Sequence, residues 1–146
     1  MIDPTGTGKS YLATALGNKA CQEGFRVLYT GTAKFIGQFK IAKAKATFLS
    51  ELKRIERMDM LILDDFGMQG LDQQASGILM DIIEDRHGKR STLIASQLVA
   101  KQWHDVIGER NVADAILDRI VHHALRVELA DESIRKRKIK TESVFL

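Results

Sequence analysis

Apolar positions recur along the chain in blocks that switch between helical and strand-like spacing. Over residues 9–23, Leu12, Ala15, Leu16 and Ala20 fall near a helical period, and Gly24 then ends the helix. Residues 26–30 are a short β-prone run. Residues 33–57 predict two basic amphipathic helices, broken near Ala44–Thr47. Residues 58–63 are almost continuously apolar and run into Asp64 and Asp65, which is how a buried parallel strand reads. Asp72 is a good N-cap for a helix reaching Arg86, with Leu79, Ile82 and Ile83 on one face, and His87-Gly88 closes it. Residues 91–95 predict another buried strand, 98–108 and 112–123 two helices, and 125–129 a last strand. Helices alternating with strands in this order predict an α/β fold, a parallel sheet with helices on both faces.

The chain of 146 residues fits one domain with one core, and neither a linker nor a repeat divides it. A net charge of +3 is compatible with nucleic-acid binding without requiring it, so the distribution is more informative. Residues 34–57 carry seven Lys or Arg against Glu51 and Glu56, whereas residues 59–87 carry seven Asp or Glu against Arg86. Residues 131–146 read as a mobile basic tail around Arg-Lys-Arg-Lys-Ile-Lys at 135–140. The single Cys21 excludes an intrachain disulfide, no apolar run is long enough to span a bilayer, and the N-terminus does not read as a signal peptide. These features predict a cytoplasmic protein with no membrane partner.

Three motifs carry the candidate chemistry. Gly6-Thr7-Gly8-Lys9-Ser10 is the end of a P-loop, G-x-x-x-x-G-K-[ST], opening the first helix. Its amides and the helix N-terminus would wrap phosphates, with Thr5 and Tyr11 completing the nucleotide-binding stretch. Lys9 would reach the β- and γ-phosphates of ATP, and Ser10 would ligate Mg²⁺. The first glycine of the pattern is replaced by Asp3, whose charge repels phosphate and whose backbone enters left-handed conformations less easily. In the second motif, Met60-Leu61-Ile62-Leu63-Asp64-Asp65, the apolar strand delivers two acids to the edge where open α/β sheets bind ligands. Asp64 is placed to hold Mg²⁺ through water, and Asp65 to polarise the attacking water as general base. In the third, Thr92–Gln97, either Gln97 or Ser96 could touch the γ-phosphate or order that water. A Gly-rich turn can also merely cap a helix, and acids at a strand end can merely be solvated. The order of the three motifs favours the nucleotide reading.

These motifs resemble the Walker A, Walker B and sensor 1 elements of the AAA+ superfamily of P-loop NTPases. The segments LILDDFG, EDRHGKRSTLIASQ, QWHDVIG, ADAILDRIVHHA and ESIRK resemble the IstB/DnaC-like group, in a resemblance covering about residues 3–138. It implies an ATPase that forms a homo-oligomer on duplex DNA and stimulates a cognate transposase. Arg119, in LDRIVH, matches an arginine finger acting on a neighbouring subunit's ATP, and Arg135, in ESIRK, matches an arginine that faces nucleotide as a second sensor. Trp103 and His104 read as structural. A DnaC-like helicase loader is the alternative within the superfamily. A remnant without ATPase activity is the alternative from another class.

The resemblance also implies a sheet in the order 5-1-4-3-2, whose central first strand leads directly into the P-loop. Only Met1 and Ile2 precede Asp3, so the sequence reads as an N-terminally truncated ATPase core with that strand missing. The last strand is then expected to be separated from the others by a vacant position.

Overall fold

The computed structural model describes residues 9–96, 98, 102–121, 126–130 and 141–145, with side chains over 12–96, 98 and 102–120. In chain order, α1 (Lys9–Gln22), β1 (Val27–Gly31), α2 (Thr32–Ala44) and α3 (Phe48–Glu56) precede β2 (Met60–Phe66). There follow α4 (Gln73–Arg86), β3 (Ser91–Ser96), α5 (Trp103–Ile107), α6 (Arg110–Val121), β4 (Arg126–Ala130) and β5 (Thr141–Phe145). Each predicted element is present, and β5 is an addition. Of the helix expected over 98–108, the described part is Trp103–Ile107, ending before Gly108, which has φ +85°; residues 99–101 lie outside the described residues. The break between the two basic helices falls at Ala46, in a left-handed conformation with φ +59°.

The sheet order is β1-β2-β3-β5-β4. β1, β2 and β3 are parallel, in the register Tyr29↔Ile62 and Ile62↔Leu93. Alternation along these strands separates two apolar layers. Leu61, Leu63 and Ile94 face the larger one, with Phe35, Phe39, Ile55, Ile78, Ile82, Trp103 and Ile116 from α2 to α6. Ile62, Leu93 and Ala95 face the smaller one, where Ala13, Leu12 and Leu16 of α1 pack. Gly17 permits this close docking, since a Cβ there would stand 3.0 Å from Ile62 Cδ1. The sheet thus has helices on both faces, with α1 covering one of them.

The far edge departs from the expectation of an unfilled position. β5 lies between β3 and β4 and is antiparallel to both, pairing Ala95↔Val144 and Val127↔Val144. The sheet is therefore mixed, and β4 is separated from β3 by a strand rather than by a gap. The physical reason is that a parallel β3 ending the sheet would leave a row of unpaired backbone groups, and a segment pairing with both β3 and β4 satisfies them. The tail reading is corrected over 141–145, which are strand; residues 131–140 lie outside the described residues. Among the described residues no helix is long and apolar enough to cross a membrane.

Candidate nucleotide site

The carboxyl ends of β1, β2 and β3 form one edge of the sheet, and α1 starts at that edge. Its C-terminal end is tied to the opposite edge, where Phe25 N–H donates to Ala20 O at 3.0 Å and Met60 N–H to Arg26 O at 3.1 Å. A helix of 14 residues is about 21 Å long, so its first turn returns to the carboxyl ends of the strands. Lys9 and Ser10 open this helix. The sequence therefore brings a helix N-terminus, with its unpaired amides and positive dipole end, beside the end of β2.

Asp64 occupies that end of β2. It shares a strand face with Ile62 and is directed toward the α1 layer, and it is buried, with 7% of its surface exposed. Its Oδ1 accepts the Asp65 backbone N–H at 2.8 Å, and its Oδ2 accepts the hydroxyl of Tyr29. Its carbonyl accepts Thr32 Oγ1 at 2.8 Å. Partial burial, then the hydrogen bond to Asp64 and its charge, push the Tyr29 phenol up to about 12, which keeps it a donor at neutral pH. Thr14 of α1 interacts with the same hydroxyl.

Asp65 sits differently. The pairing of β2 with β3 shifts register between Leu63 and Phe66, and within this bulge Asp65 has φ +55°. A non-glycine residue in the left-handed region stores backbone strain, and bulges near functional sites commonly re-aim a side chain. The bulge leaves Asp65 exposed while Asp64 stays buried. A cleft of about 430 Å³, lined by Lys34 and Lys40 of α2 and by Gly67, Met68 and Asp72, reaches Asp65 from the side of α2.

The third motif divides. Ser96 is buried, its hydroxyl donating to Phe66 O at 2.6 Å and accepting Leu98 N–H at 3.0 Å. It fastens the end of β3 to the bulge and has a structural use, which argues against Ser96 and leaves Gln97 as the candidate in that motif. Gln97 lies outside the described residues, as do Asp3, Thr5, Gly6, Thr7, Gly8 and Arg135. For Lys9, Ser10 and Tyr11 the helical backbone alone is described. Arg119 pairs with neither Asp64 nor Asp65 among the described contacts. It stands on α6 in the larger layer, with Nη1 donating to Ala115 O at 3.0 Å and Nη2 paired with Glu84 of α4 at 2.5 Å. Trp103 is fully buried against Phe66, with ring centroids 4.5 Å apart, the structural place expected of it, and the exposed His104 pairs with Asp114 at 2.8 Å.

Sequence reasoning missed Tyr29 and Thr32. Their signal was weak: one hydroxyl within a β-prone run and one at the start of the helix that follows it. No spacing rule links position 29 to position 64, because a crossover of two helices intervenes.

A buried carboxylate at a strand's carboxyl end, beside a helix N-terminus opened by Lys9 and Ser10, suits a phosphate chain and its cation. Comparison with known proteins bears on the family and the fold. The family of IstB-like ATP-binding proteins matches residues 1–142. A protein of Sinorhizobium fredii described as an insertion sequence ATP-binding protein, y4pL, is 43% identical over 135 residues, covering 92% of this chain and 55% of that protein. The insertion sequence IS21 ATP-binding protein of Pseudomonas aeruginosa is 29% identical over 99% of this chain and 55% of its own length. The chain thus spans about half the length of these relatives. Among solved structures, AMPPCP-bound DnaA from Aquifex aeolicus superposes with a TM-score of 0.66 at 24% identity, over 75% of this chain and 35% of that one. The DnaC helicase loader does so at 0.64 and 20% identity, over 81% of this chain and 71% of that one. These two likenesses establish the AAA+ fold, and the family match together with the sequence relatives shows that the chain belongs to the IstB-like ATP-binding proteins.

Proposed function

We propose that this chain is the ATPase core of a transposition helper, binding ATP with Mg²⁺, hydrolysing it and assembling with its own copies on duplex DNA to stimulate a cognate transposase. The observation that supports the nucleotide part is the buried Asp64 at the carboxyl end of β2, on the face that α1 covers, with Asp65 exposed next to it. In this reading the amides of Thr5, Gly6, Thr7 and Gly8 and the start of α1, with Tyr11, hold the phosphates. Lys9 places its charge on the β- and γ-phosphates, and Ser10 and Asp64 hold Mg²⁺, which supplies charge neutralisation when bound. Asp65 accepts a proton from the attacking water, which Gln97 orders. Arg119 reaches a neighbouring subunit's γ-phosphate, and Arg135 faces nucleotide as a second sensor. The DNA part rests on charge: Lys34, Lys45, Lys53 and Arg57 stand on α2, α3 and their flanks, where phosphate contacts act without base readout.

Nucleotide binding and turnover test this reading together. Lys9→Ala should abolish ATP binding measured by calorimetry. Asp65→Asn should spare binding and stop hydrolysis, and asparagine tolerates the left-handed backbone that position 65 requires. Equal ATPase rates in wild type and Asp65→Asn would remove the general-base assignment. Absence of ATP binding by the wild-type chain would instead support the inactive remnant. Pull-downs with a transposase and with a replicative helicase separate the helper from a DnaC-like loader.

A further inference from the structure

Tyr29 has 42% of its surface exposed, yet its hydroxyl is committed to Asp64. A phenylalanine would cover the same patch of β1, so packing alone does not call for the oxygen. The hydroxyl completes a three-point fixing of one residue. Asp65 N–H holds Oδ1, Tyr29 holds Oδ2, and Thr32 holds the Asp64 carbonyl. The three donors come from the bulge, from β1 and from the first turn of α2, so neither the backbone nor the carboxylate of Asp64 can turn independently of the sheet. The interaction with Thr14 joins the same hydroxyl to α1, the helix that starts at the P-loop.

We infer that Tyr29 is a positioning residue for the cation of the nucleotide site, holding the Asp64 carboxylate in the orientation in which it receives Mg²⁺ and its water shell. This rests on the assignment of Asp64 to the cation. A carboxylate offers about four lone-pair sites, so accepting from Tyr29 and from Asp65 N–H does not exhaust it. A hydrogen-bonded carboxylate is also pre-oriented, so less rotational freedom is lost when the cation arrives. Partners of this kind, standing behind a metal ligand, typically contribute about 10–100-fold in metal affinity.

The test uses Tyr29→Phe, which keeps the ring and removes the oxygen, with Asp64→Asn alongside. Mn²⁺ serves as the probe, titrated by electron paramagnetic resonance into the wild-type chain and both variants loaded with ADP. Binding of a fluorescent ATP analogue is measured separately in excess EDTA. Tyr29→Phe is expected to weaken Mn²⁺ binding roughly tenfold or more while leaving metal-free nucleotide affinity within about twofold. A role confined to strand packing would leave the Mn²⁺ affinity unmoved. Wild-type Mn²⁺ affinity in Tyr29→Phe, with a weakened Asp64→Asn, overturns the proposal and leaves the site assignment standing. An equal loss of metal-free nucleotide affinity also overturns it, because the hydroxyl would then be shaping the pocket rather than the cation ligand. Unchanged Mn²⁺ affinity in Asp64→Asn, or no cation-dependent binding in the wild type, overturns the site assignment and the proposal with it.

Discussion

Single residues at the end of β2 combine strain with specific anchoring. Asp65 holds φ +55°, and two residues later Gly67 holds φ +88°. A Cβ at Gly67 would stand 2.5 Å from Leu98 Cδ1, so alanine there meets both an unfavourable backbone and a clash. Gly67→Ala should lower stability by about 1–3 kcal/mol in denaturant unfolding. On the proposed function it should also slow ATP turnover, because Gly67 follows the bulge that carries Asp65 and lies against Leu98, which Ser96 holds. An unchanged unfolding midpoint would contradict this account of the bulge. Arg86 shows how far a residue's setting can depart from its apparent one. It lies in the last turn of α4, where an exposed cation would complement the helix dipole. It is instead buried, donating to Ile55 O at 2.8 Å, Met58 O at 2.9 Å, Ser91 O at 2.6 Å and Thr92 Oγ1 at 3.0 Å. That burial lowers its pKa to about 10. One side chain thereby ties α4 to the end of α3 and the starts of β2 and β3.

At the scale of elements, local signals were read most successfully where a terminus carried its own chemistry. Asp72 caps α4 through Ala75 N–H at 2.7 Å, as its position before the helix predicted, and it also receives Lys40 from α2 at 2.6 Å. The Lys40 hydrogen bond, then the Ala75 amide, hold the Asp72 carboxyl below its ordinary value of 3.8. A carboxylate with a lowered folded-state pKa contributes stability above its unfolded value, and that contribution is lost as pH falls through the folded value. Asp72→Ala should therefore lower the melting midpoint at neutral pH, and the difference from wild type should narrow as pH falls below the ordinary carboxylate value. Thermal scans over that range check it, and a constant difference at every pH would place the effect outside the carboxylate's charge. The two basic helices formed as predicted, yet some of their charge is already used within the chain. Lys40 pairs with Asp72, Arg54 with Glu51 at 2.9 Å, and Lys43 lies 4.8 Å from the Phe48 ring centroid.

For the whole molecule, the central question is how Arg119 could serve catalysis. In the single chain it pairs with Glu84 in the larger helical layer, whereas Asp64 is directed toward α1 on the other face. A finger role therefore requires a second copy. Fingers supplied in trans are worth roughly 10³–10⁵ in rate in GTPases, so an isolated subunit should hydrolyse ATP very slowly. Activity per subunit should rise with protein concentration and with duplex DNA, and fall with salt as phosphate contacts release counterions. Arg119→Ala should remove the concentration-dependent part while sparing ATP affinity. Mixing Arg119→Ala with Lys9→Ala subunits should restore some turnover, read as phosphate release. No recovery in a mixture that demonstrably co-assembles would count against the finger.

By itself the sequence determined the succession of helices and strands, the parallel relation of β1, β2 and β3, and the delivery of Asp64 and Asp65 to the carboxyl end of a buried strand. These follow from period, caps and residue type within short windows, where local physics is decisive. Only the tertiary structure decided the rest. It separated two adjacent aspartates by a bulge, burying one and exposing the other. It recruited Tyr29 and Thr32 to Asp64 across a two-helix crossover, and it turned Ser96 into a brace. It also drew residues 141–145 into the sheet between β3 and β4, where unpaired ladder groups find partners. Each of these depends on which distant segments share an edge or a face, and that is set by global pairing and layer packing rather than by any window of neighbouring residues.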